Sequence, residues 1–560
     1  MSSAWRERLA GRETLTVVAA VTVLALLLRF WALGWRMAHW DEARVAWRII
    51  EYTRTDAWNY RAVVHGPFLF HVNHGLFEAF TPSDFVMRTP VALLGGLLPA
   101  AAWLFRERLR DTEVVAVAVL LALNPVLLYY SRFMRNDLLL AAFLLFALGF
   151  AVRALDTGRN GYYYAATASL ALAVTTKEFV IVDLVAWGCA LFLLTDRRLL
   201  TARVTHEDWV DRLVSLALRT ADGIAGHARA LALCVAEFLA IVVLFYAPRP
   251  EIWDALTAPT RWPDVVGAAT LGSWNEFTSM WVSGSHQDHA YLPYLTDYLD
   301  VVAAGALVLV FFAAIGFVVD RYTGERDLVA FCAYWGVLVA LVYPLASDIS
   351  PAPWGVVHAV VPLAIPAGVG VALVFRRGRA AFAAGDRVGV TLAAIILLIA
   401  GGQVAATAAS TSYVHAQDET PLVQYGQPDD NMKPAFAEIE RAIHPDDPDV
   451  DVMFYGSHFS NELYRLPLPW YFASMNASMG STSDLRAMIE LNDGPPPVVI
   501  ARERHEANLT SELDGYRKMG PYAITLEGAS VVRVHAYIET DAASDGSAAR
   551  LADPHPSRDT

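Results

Sequence analysis

About eleven apolar stretches, centred near residues 24, 96, 121, 146, 170, 187, 239, 309, 337, 365 and 398, recur along this chain as far as residue 408. A helix needs about 20 such residues to cross the hydrocarbon layer. Backbone polar groups in lipid must be satisfied within the segment or in a closed barrel. Long apolar runs without a period of two therefore predict a mainly α, polytopic membrane protein of about 11 transmembrane helices. The bulk composition agrees, with 55% hydrophobic and 18% charged residues. The first run, about Glu13 to Trp35, is followed by no small-residue cleavage site and reads as a retained span.

The arginines give an orientation. Arg6, Arg8 and Arg12 precede the first span. Arg106, Arg108 and Arg110, then Arg153 and Arg159, Arg197 and Arg198, Arg321 and Arg326, and Arg376 to Arg387 follow the even-numbered spans. Basic loops stay in the cytoplasm, so the N-terminus is expected inside and the C-terminal region outside. Loop 36–88, junction 131–137, the turn around Lys177, segment 248–298, turn 347–354 and the tail from about 409 then share the outer face. The unusual polar residues fall on that face.

Within loop 36–88, Val45, Ala46, Ile49 and Ile50 recur at helical spacing while Arg44, Arg48 and Glu51 take another side. This predicts an amphipathic interfacial helix over 41–54, with a second helix after His65-Gly66-Pro67. The expected division is a membrane domain at 1–408, a small α/β domain at 409–540 and a disordered tail at 541–560, rich in Ala, Ser, Asp, Gly and Pro. Strands are expected at V-D-V-M-F-Y-G, P-V-V-I-A-R and A-S-V-V-R-V-H-A-Y-I, with helices around 433–443 and 482–492.

Cys189, Cys234 and Cys332 all lie in apolar stretches and give neither a disulfide framework nor a thiol metal site. The net charge is −14, and lysine occurs at positions 177, 433 and 518 alone. An acidic, lysine-poor chain suits high salt and points to a halophilic archaeon. It also argues against nucleic acid, which needs a basic face.

Three polar constellations stand on the outer face. Asp41-Glu42 follows the first span, where carboxylates are costly without a task or a partner. Neighbours on a helix point about 100° apart, so one acid can face a substrate while the other holds the scaffold. Asp41 is the expected general base toward an acceptor hydroxyl, against a plain helix-dipole role for the pair. In S-R-F-M-R-N-D, Arg132 and Arg135 are three apart, which predicts that they share a helical face, and Asp137 follows. Guanidinium groups there suit a lipid phosphate, the alternative being interfacial snorkelling. In T-T-K-E, Lys177 is the membrane region's single lysine; it either neutralises a leaving phosphate or pairs with Glu178. The histidines His65, His71 and His74, and the S-H-Q-D-H segment with His286, Asp288 and His289, permit a metal but more often are plain interfacial residues. No metal site is assigned and no cofactor is called for; a divalent metal has weak support. Tyr343-Pro344 and Pro351 to Trp354, with His358 beyond, mark a turn that bounds a groove or simply starts a helix. Asn476 and Asn508 open short sequons.

The W-D-E-A-R loop, H-G-P, R-F-M-R-N-D-L-L-L and T-T-K-E resemble the dolichyl-phosphate-mannose protein mannosyltransferase superfamily. These are GT-C glycosyltransferases, which include the bacterial aminoarabinose transferase of lipid A. The P-W turn and Tyr464 to Tyr471 (Y-R-L-P-L-P-W-Y) add a resemblance to an archaeal branch of flippase-activity-associated proteins in N-glycosylation. The resemblance covers most of 30–190 and, more weakly, 340–475. It implies a polyprenyl (dolichyl)-phosphate sugar donor, an acid of the first outer loop at the acceptor (Asp41, beside Glu42) and a second acid at Asp137. Arg132, Arg135, Lys177, Glu178 and His65 fall in its substrate-binding motifs. Some relatives carry Lys-Pro-Pro where this chain has His65-Gly66-Pro67, and the turn before Pro353-Trp354 holds Ala352 and no lysine.

The expectation is thus a transferase that moves sugar from lipid phosphate to a glycan or protein acceptor outside the membrane, with inversion by a single displacement. The bilayer and other glycosylation proteins are its expected partners. A non-enzymatic carrier that helps flip the lipid-linked sugar is the rival. An ion-coupled transporter fits less well, because no internal repeat is evident.

Overall fold

Each apolar stretch becomes a helix in the computed structural model, which describes residues 3–62, 66–204, 209–282, 289–347, 352–416, 420–428, 430–444, 449–490, 494–526 and 530–540. The helices are α1 Ser3–Phe30, α2 Trp40–Thr55, α3 Phe68–Ala79, α4 Asp84–Leu97, α5 Asp111–Leu123, α6 Pro125–Tyr130, α7 Asn136–Thr157, α8 Asn160–Thr176, α9 Val180–Val204, α10 Trp209–Gly226 and α11 Ala228–Tyr246. Three short helices, α12 Glu251–Thr257, α13 Trp262–Gly267 and α14 Ser273–Phe277, lead to α15 Tyr291–Gly305, α16 Leu307–Thr323, α17 Asp327–Ala346, α18 Val356–Ala383 and α19 Arg387–Ala409.

All eleven expected centres lie on helices. Among the described residues, 7 helices are long and apolar enough to cross a membrane, or up to 8 if the pair α15–α16, bent by 93°, is one span. The centres near 121 and 170 fall on helices of 13 and 17 residues, shorter than a lone span requires. The chain is a multi-pass membrane protein.

The central helix is α18, whose residues from Val356 to Gly370 are buried. It meets α16 at very short range. A Cβ on Gly316 would stand 1.9 Å from the Pro366 carbonyl oxygen, and one on Gly370 would stand 2.2 Å from that of Phe312. Small residues let helix backbones approach where no hydrophobic force separates lipid from helix.

Charged residues gather at two ends of the bundle. At one end Glu113 accepts from Arg326 (2.6 Å) and Arg376 (3.2 Å), and Arg108 meets Asp156 (2.6 Å). The other end collects residues 36–42, 132–137, 177 and 424, which the arginine pattern had assigned to one face, together with Tyr343 and His358.

Beyond α19, helix α20 (Lys433–Ala442) precedes a five-stranded sheet of β1 Val452–Tyr455, β2 Met479–Thr482, β3 Val498–Arg502, β4 Tyr516–Leu526 and β5 Ser530–Glu539. The order is β2-β1-β3-β5-β4, with β1 parallel to both β2 and β3 and with β5 antiparallel to β3 and β4. Strands β2 and β4 went unread in the sequence because neither alternates cleanly: β2 is four residues of M-G-S-T, and β4 is interrupted by Gly520-Pro521. The expected helix at 482–492 is five residues, Leu485–Ile489. Residues 541–560 lie outside the described residues.

This sheet region docks on the loop after α1. Asp84 accepts from the Trp470 indole (2.9 Å) and the Tyr471 hydroxyl (3.0 Å), and pairs with Lys433 (2.6 Å). The Trp40 indole donates to the Leu463 carbonyl (3.0 Å).

Candidate functional site

His39 caps α2. Its ring Nδ1 accepts the Asp41 N–H (3.0 Å), and the Glu42 carboxylate accepts the His39 N–H (3.0 Å) in return. This fixes the two acids in the first turn, with Glu42 directed inward. Glu42 is fully buried and accepts from Arg36 (2.9 Å), from Arg88 through two nitrogens (2.8 and 2.8 Å) and from the Met134 N–H (2.8 Å). Burial pushes its carboxyl up, but Arg36 and Arg88 outweigh this and hold it far below the usual range. With both oxygens saturated it has no lone pair left for a substrate. The sequence had placed Glu42 among the reacting groups; in the structure its carboxylate is bonded on both oxygens to Arg36, His39, Arg88 and Met134.

Asp41 keeps 36% of its side chain exposed. Its Oδ2 accepts from Arg135 (2.5 Å) and Gln424 (2.7 Å). Burial raises its pKa, and Arg135, His39 and Gln424 more than offset that, so the group stays ionised below the ordinary carboxylate value.

Arg135 precedes α7 and links the two acids named from the sequence. It donates to Asp137 (3.4 Å) as well as to Asp41, and its guanidinium carbon lies 3.7 Å from the Trp354 ring centroid. The P-W turn thus supplies the floor under this arginine. Asp137 is buried and bonds Lys177 Nζ (2.8 Å), the Tyr343 hydroxyl (3.1 Å) and His358 Nε2 (3.3 Å). His358 Nδ1 faces Asp183 at 3.3 Å, and Asp183 accepts the Trp335 indole N–H (2.8 Å). A continuous polar chain therefore runs from Asp41 through Arg135, Asp137 and His358 to Asp183. Asp183 and Gln424 were missed in the sequence. An acid inside an apolar run was the available signal for Asp183; a glutamine in a loop offered none.

Arg132 stands apart. Residues 131–135 are not helical, so Arg132 and Arg135 do not share a helix face. The Arg132 guanidinium instead donates to the carbonyls of Leu28, Arg29, Trp31 and Ala32 at the end of α1. Lys177 is almost wholly buried against Asp137. Neither cation is offered to a ligand from outside. Glu178 accepts the Tyr60 O–H at 2.5 Å, and burial followed by that carboxylate pushes the Tyr60 phenol far up.

The free cations lie elsewhere. Arg44 and Arg48 follow Asp41 by three and seven positions, which sets all three within about 60° of one another around α2. Among the described residues neither guanidinium has a hydrogen-bond or carboxylate partner, and Arg44 Nε and Arg48 Nη1 are shielded from solvent without one. Burial, then Arg44 and Arg61, lower the Arg48 pKa. Arg48 opens into a cleft of about 450 Å³ that Glu51, Tyr52, Arg54, Trp58 and Arg61 also line. The hydropathy pattern had read these arginines as the polar side of an interfacial helix.

His71 is a satisfied core residue: it contacts the Phe245 carbonyl (2.8 Å) and the Tyr52 hydroxyl (3.3 Å), and burial pushes it down to about 3. Asp56, His74 and Glu78 bring one ligand atom each within 4.8 Å of one another, a donor set that suits a divalent cation at an exposed edge. His289 bonds the Ser347 carbonyl (2.6 Å). His65, His286 and Asp288 lie outside the described residues.

Residues 64–217 match the family model of dolichyl-phosphate-mannose-protein mannosyltransferases, and residues 432–535 match that of the Agl23 flippase-associated protein C-terminal domain. No curated protein matches the chain significantly. The fold is similar to that of ArnT from Cupriavidus metallidurans in the apo state, with TM-score 0.54 and 17% identity over 96% of this chain and 99% of that one. The same enzyme bound to undecaprenyl phosphate gives TM-score 0.54 and 14% identity over 93% and 97%. The archaeal oligosaccharyltransferase AglB from Archaeoglobus fulgidus, in complex with an inhibitory peptide and a dolichol-phosphate, gives TM-score 0.50 and 14% identity over 93% and 76%. Both family matches and the GT-C fold agree with the resemblance carried by the sequence motifs.

Proposed function

We propose that this protein is a membrane glycosyltransferase that moves a sugar from a polyprenyl-phosphate donor to an acceptor hydroxyl on the extracytoplasmic face. The observation that carries the reading is one face of α2, where an ionised, partly exposed Asp41 is followed by Arg44 and Arg48, two guanidinium groups that bond no acid among the described residues. The undecaprenyl-phosphate complex of ArnT and the dolichol-phosphate complex of AglB, which share the fold, support a polyprenyl phosphate as the ligand. In this reading the N-terminus is cytoplasmic, residues 1–408 form the membrane domain, and residues 409–540 form the outer domain.

The acceptor oxygen attacks the anomeric carbon as the bond to the phosphate oxygen breaks. The sugar inverts, the lipid phosphate leaves with its electron pair, and the acceptor proton passes to Asp41. Asp41 is a weak base, since its pKa is depressed. That suffices because the hydroxyl becomes strongly acidic only as the glycosidic bond forms in an oxocarbenium-like transition state. Arg44 and Arg48 are assigned to the phosphate in place of Arg132, Arg135 and Lys177, whose charges are already engaged. Asp137, Lys177 and His358 hold Arg135, and through it Asp41, in position.

The test is transfer of radiolabelled sugar from purified lipid-phosphate donors to membranes carrying the protein or its Asp41→Asn variant. Loss of a general base should lower transfer by about 10²–10⁴-fold with insertion unchanged. Near wild-type transfer by the variant would remove Asp41 as the base. The match to a flippase-associated domain favours a second reading, a carrier for the lipid-linked sugar. Absence of transfer with every donor, alongside donor movement to the outer leaflet that survives Asp41→Asn, would favour it.

A further inference from the structure

The parallel part of the outer sheet has the order β2-β1-β3, so the chain leaves β1 toward one side and returns to the other. In open sheets of this kind the crevice beyond the carboxyl ends of the strands, where the order reverses, receives ligands. The register pairs Tyr455 with Ala501 and so sets Gly456 beside Arg502 at the carboxyl ends of β1 and β3.

Cations and aromatic rings collect there. Gly456 has φ +118, and a Cβ at that position would stand 2.9 Å from His505 Nε2, so glycine lets the imidazole lie across the strand end. The Tyr455 and His505 rings pack edge-on with centroids 5.3 Å apart. His458 and Tyr464 stack at 4.8 Å with their planes 13° apart. Arg504 Nε bonds His505 Nε2 (3.1 Å). Neither Arg502 nor Arg504 pairs with an acid among the described residues, and His458 Nε2 is shielded without a partner. Glu506, the nearby acid with bonded partners, is taken by Lys518 and His535. Burial lowers the pKa of Arg502 and of both imidazoles, and the neighbouring arginines lower each further. A chain of net charge −14 thus concentrates four nitrogen-rich side chains at the ends of β1 and β3, and although Glu503 lies between the two arginines in the sequence, none of the four is paired with a carboxylate among the described residues.

The loop from this crevice leads directly to the proposed transfer site, since Leu463 accepts the indole N–H of Trp40, the residue before Asp41. Unpaired guanidinium groups suit a carboxylate or sulfate, and stacked rings offer the apolar face on which a pyranose can lie. We propose that the side-chain cluster at the carboxyl ends of β1 and β3, formed by His458, Tyr464, Arg502, Arg504 and His505, binds an anionic sugar unit of the acceptor. The site deepens, and for the word "acceptor" rests on, the transferase reading; the binding itself does not.

The test is calorimetric titration of the full-length protein in nanodiscs with tetragalacturonate, a sulfated tetrasaccharide, neutral maltotetraose and inorganic sulfate. The same titrations are run on Asp41→Asn and on the double variant Arg502→Gln/Arg504→Gln. The expected result is binding of at least one anionic tetrasaccharide, weakened at least tenfold in the double variant and unchanged in Asp41→Asn. Which anionic tetrasaccharide binds identifies the charged group. Equal affinity for maltotetraose, an unchanged double variant with intact thermal stability, or inorganic sulfate binding as tightly as the tetrasaccharides would each overturn the proposal. Because no transfer is measured, saccharide binding by a protein inactive with every donor would leave this site standing while the transferase reading falls.

Discussion

Replacing Glu42 by Gln separates the two adjacent acids by experiment. The substitution keeps the shape of the side chain and removes its charge from between Arg36 and Arg88, whose side chains are 8% and 0% exposed. A unit charge pair about 4 Å apart is worth about 4 kcal/mol at an effective dielectric constant of about 20, so two such attractions disappear. Relief of the buried carboxylate's own desolvation returns several kcal/mol, and breaking a buried pair on one side costs about 3–5 kcal/mol net. Arg88 also donates to the Leu33, Arg36 and Met37 carbonyls, so its hydrogen bonds survive and the lower end, about 3 kcal/mol, is expected. The assay is thermal unfolding of the purified variant beside Asp41→Asn, with transfer measured on the fraction that remains folded. Glu42→Gln should unfold at clearly lower temperature yet retain most transfer per folded molecule. Unaltered thermal stability together with lost transfer would refute the scaffold assignment and return Glu42 to the chemistry.

Arg48→Gln should raise the concentration of polyprenyl phosphate needed for half-saturation by about tenfold to a hundredfold, since a charge-assisted hydrogen bond contributes about 1.5–3 kcal/mol. Titration of donor binding checks this, and Arg132→Gln should lower stability without that shift. The pH profile carries a sign. Asp41 is held ionised below the ordinary carboxylate value, so transfer should be flat through neutrality and fall only below about pH 4. Arg135→Gln removes the leading stabilising charge and should move the acid limb upward. A wild-type limb near pH 6–7 would indicate a histidine base instead.

The membrane fold was legible because lipid leaves a long apolar run little choice. All eleven stretches are helices, and the polar motifs of α2, the Arg135–Asp137 junction and Lys177 do assemble at one end. Shorter signals failed where the local pattern was ambiguous. The M-G-S-T strand β2 has too few alternating residues to register, and S-R-F-M-R-N-D reads as helical although Pro125 and the turn at 131–135 break it. The charge state of each cation was equally invisible. Arg132, Arg135, Lys177, Arg44 and Arg48 are all single cations at a membrane surface by sequence. Arg132 bonds the carbonyls ending α1, Arg135 bonds Asp41 and Asp137, and Lys177 bonds Asp137, while Arg44 and Arg48 bond no acid among the described residues.

Sequence alone determined that this chain crosses the membrane repeatedly and presents acids beside arginines on one face, because hydropathy and helical spacing are local properties. Tertiary structure alone decided which acid is exposed, which cations remain unpaired, and that Asp183 and Gln424 join the network. Those outcomes depend on side chains far apart in the chain, 383 positions for Gln424 and Asp41. Electrostatic partnership is set by distance in space, and no local pattern encodes it.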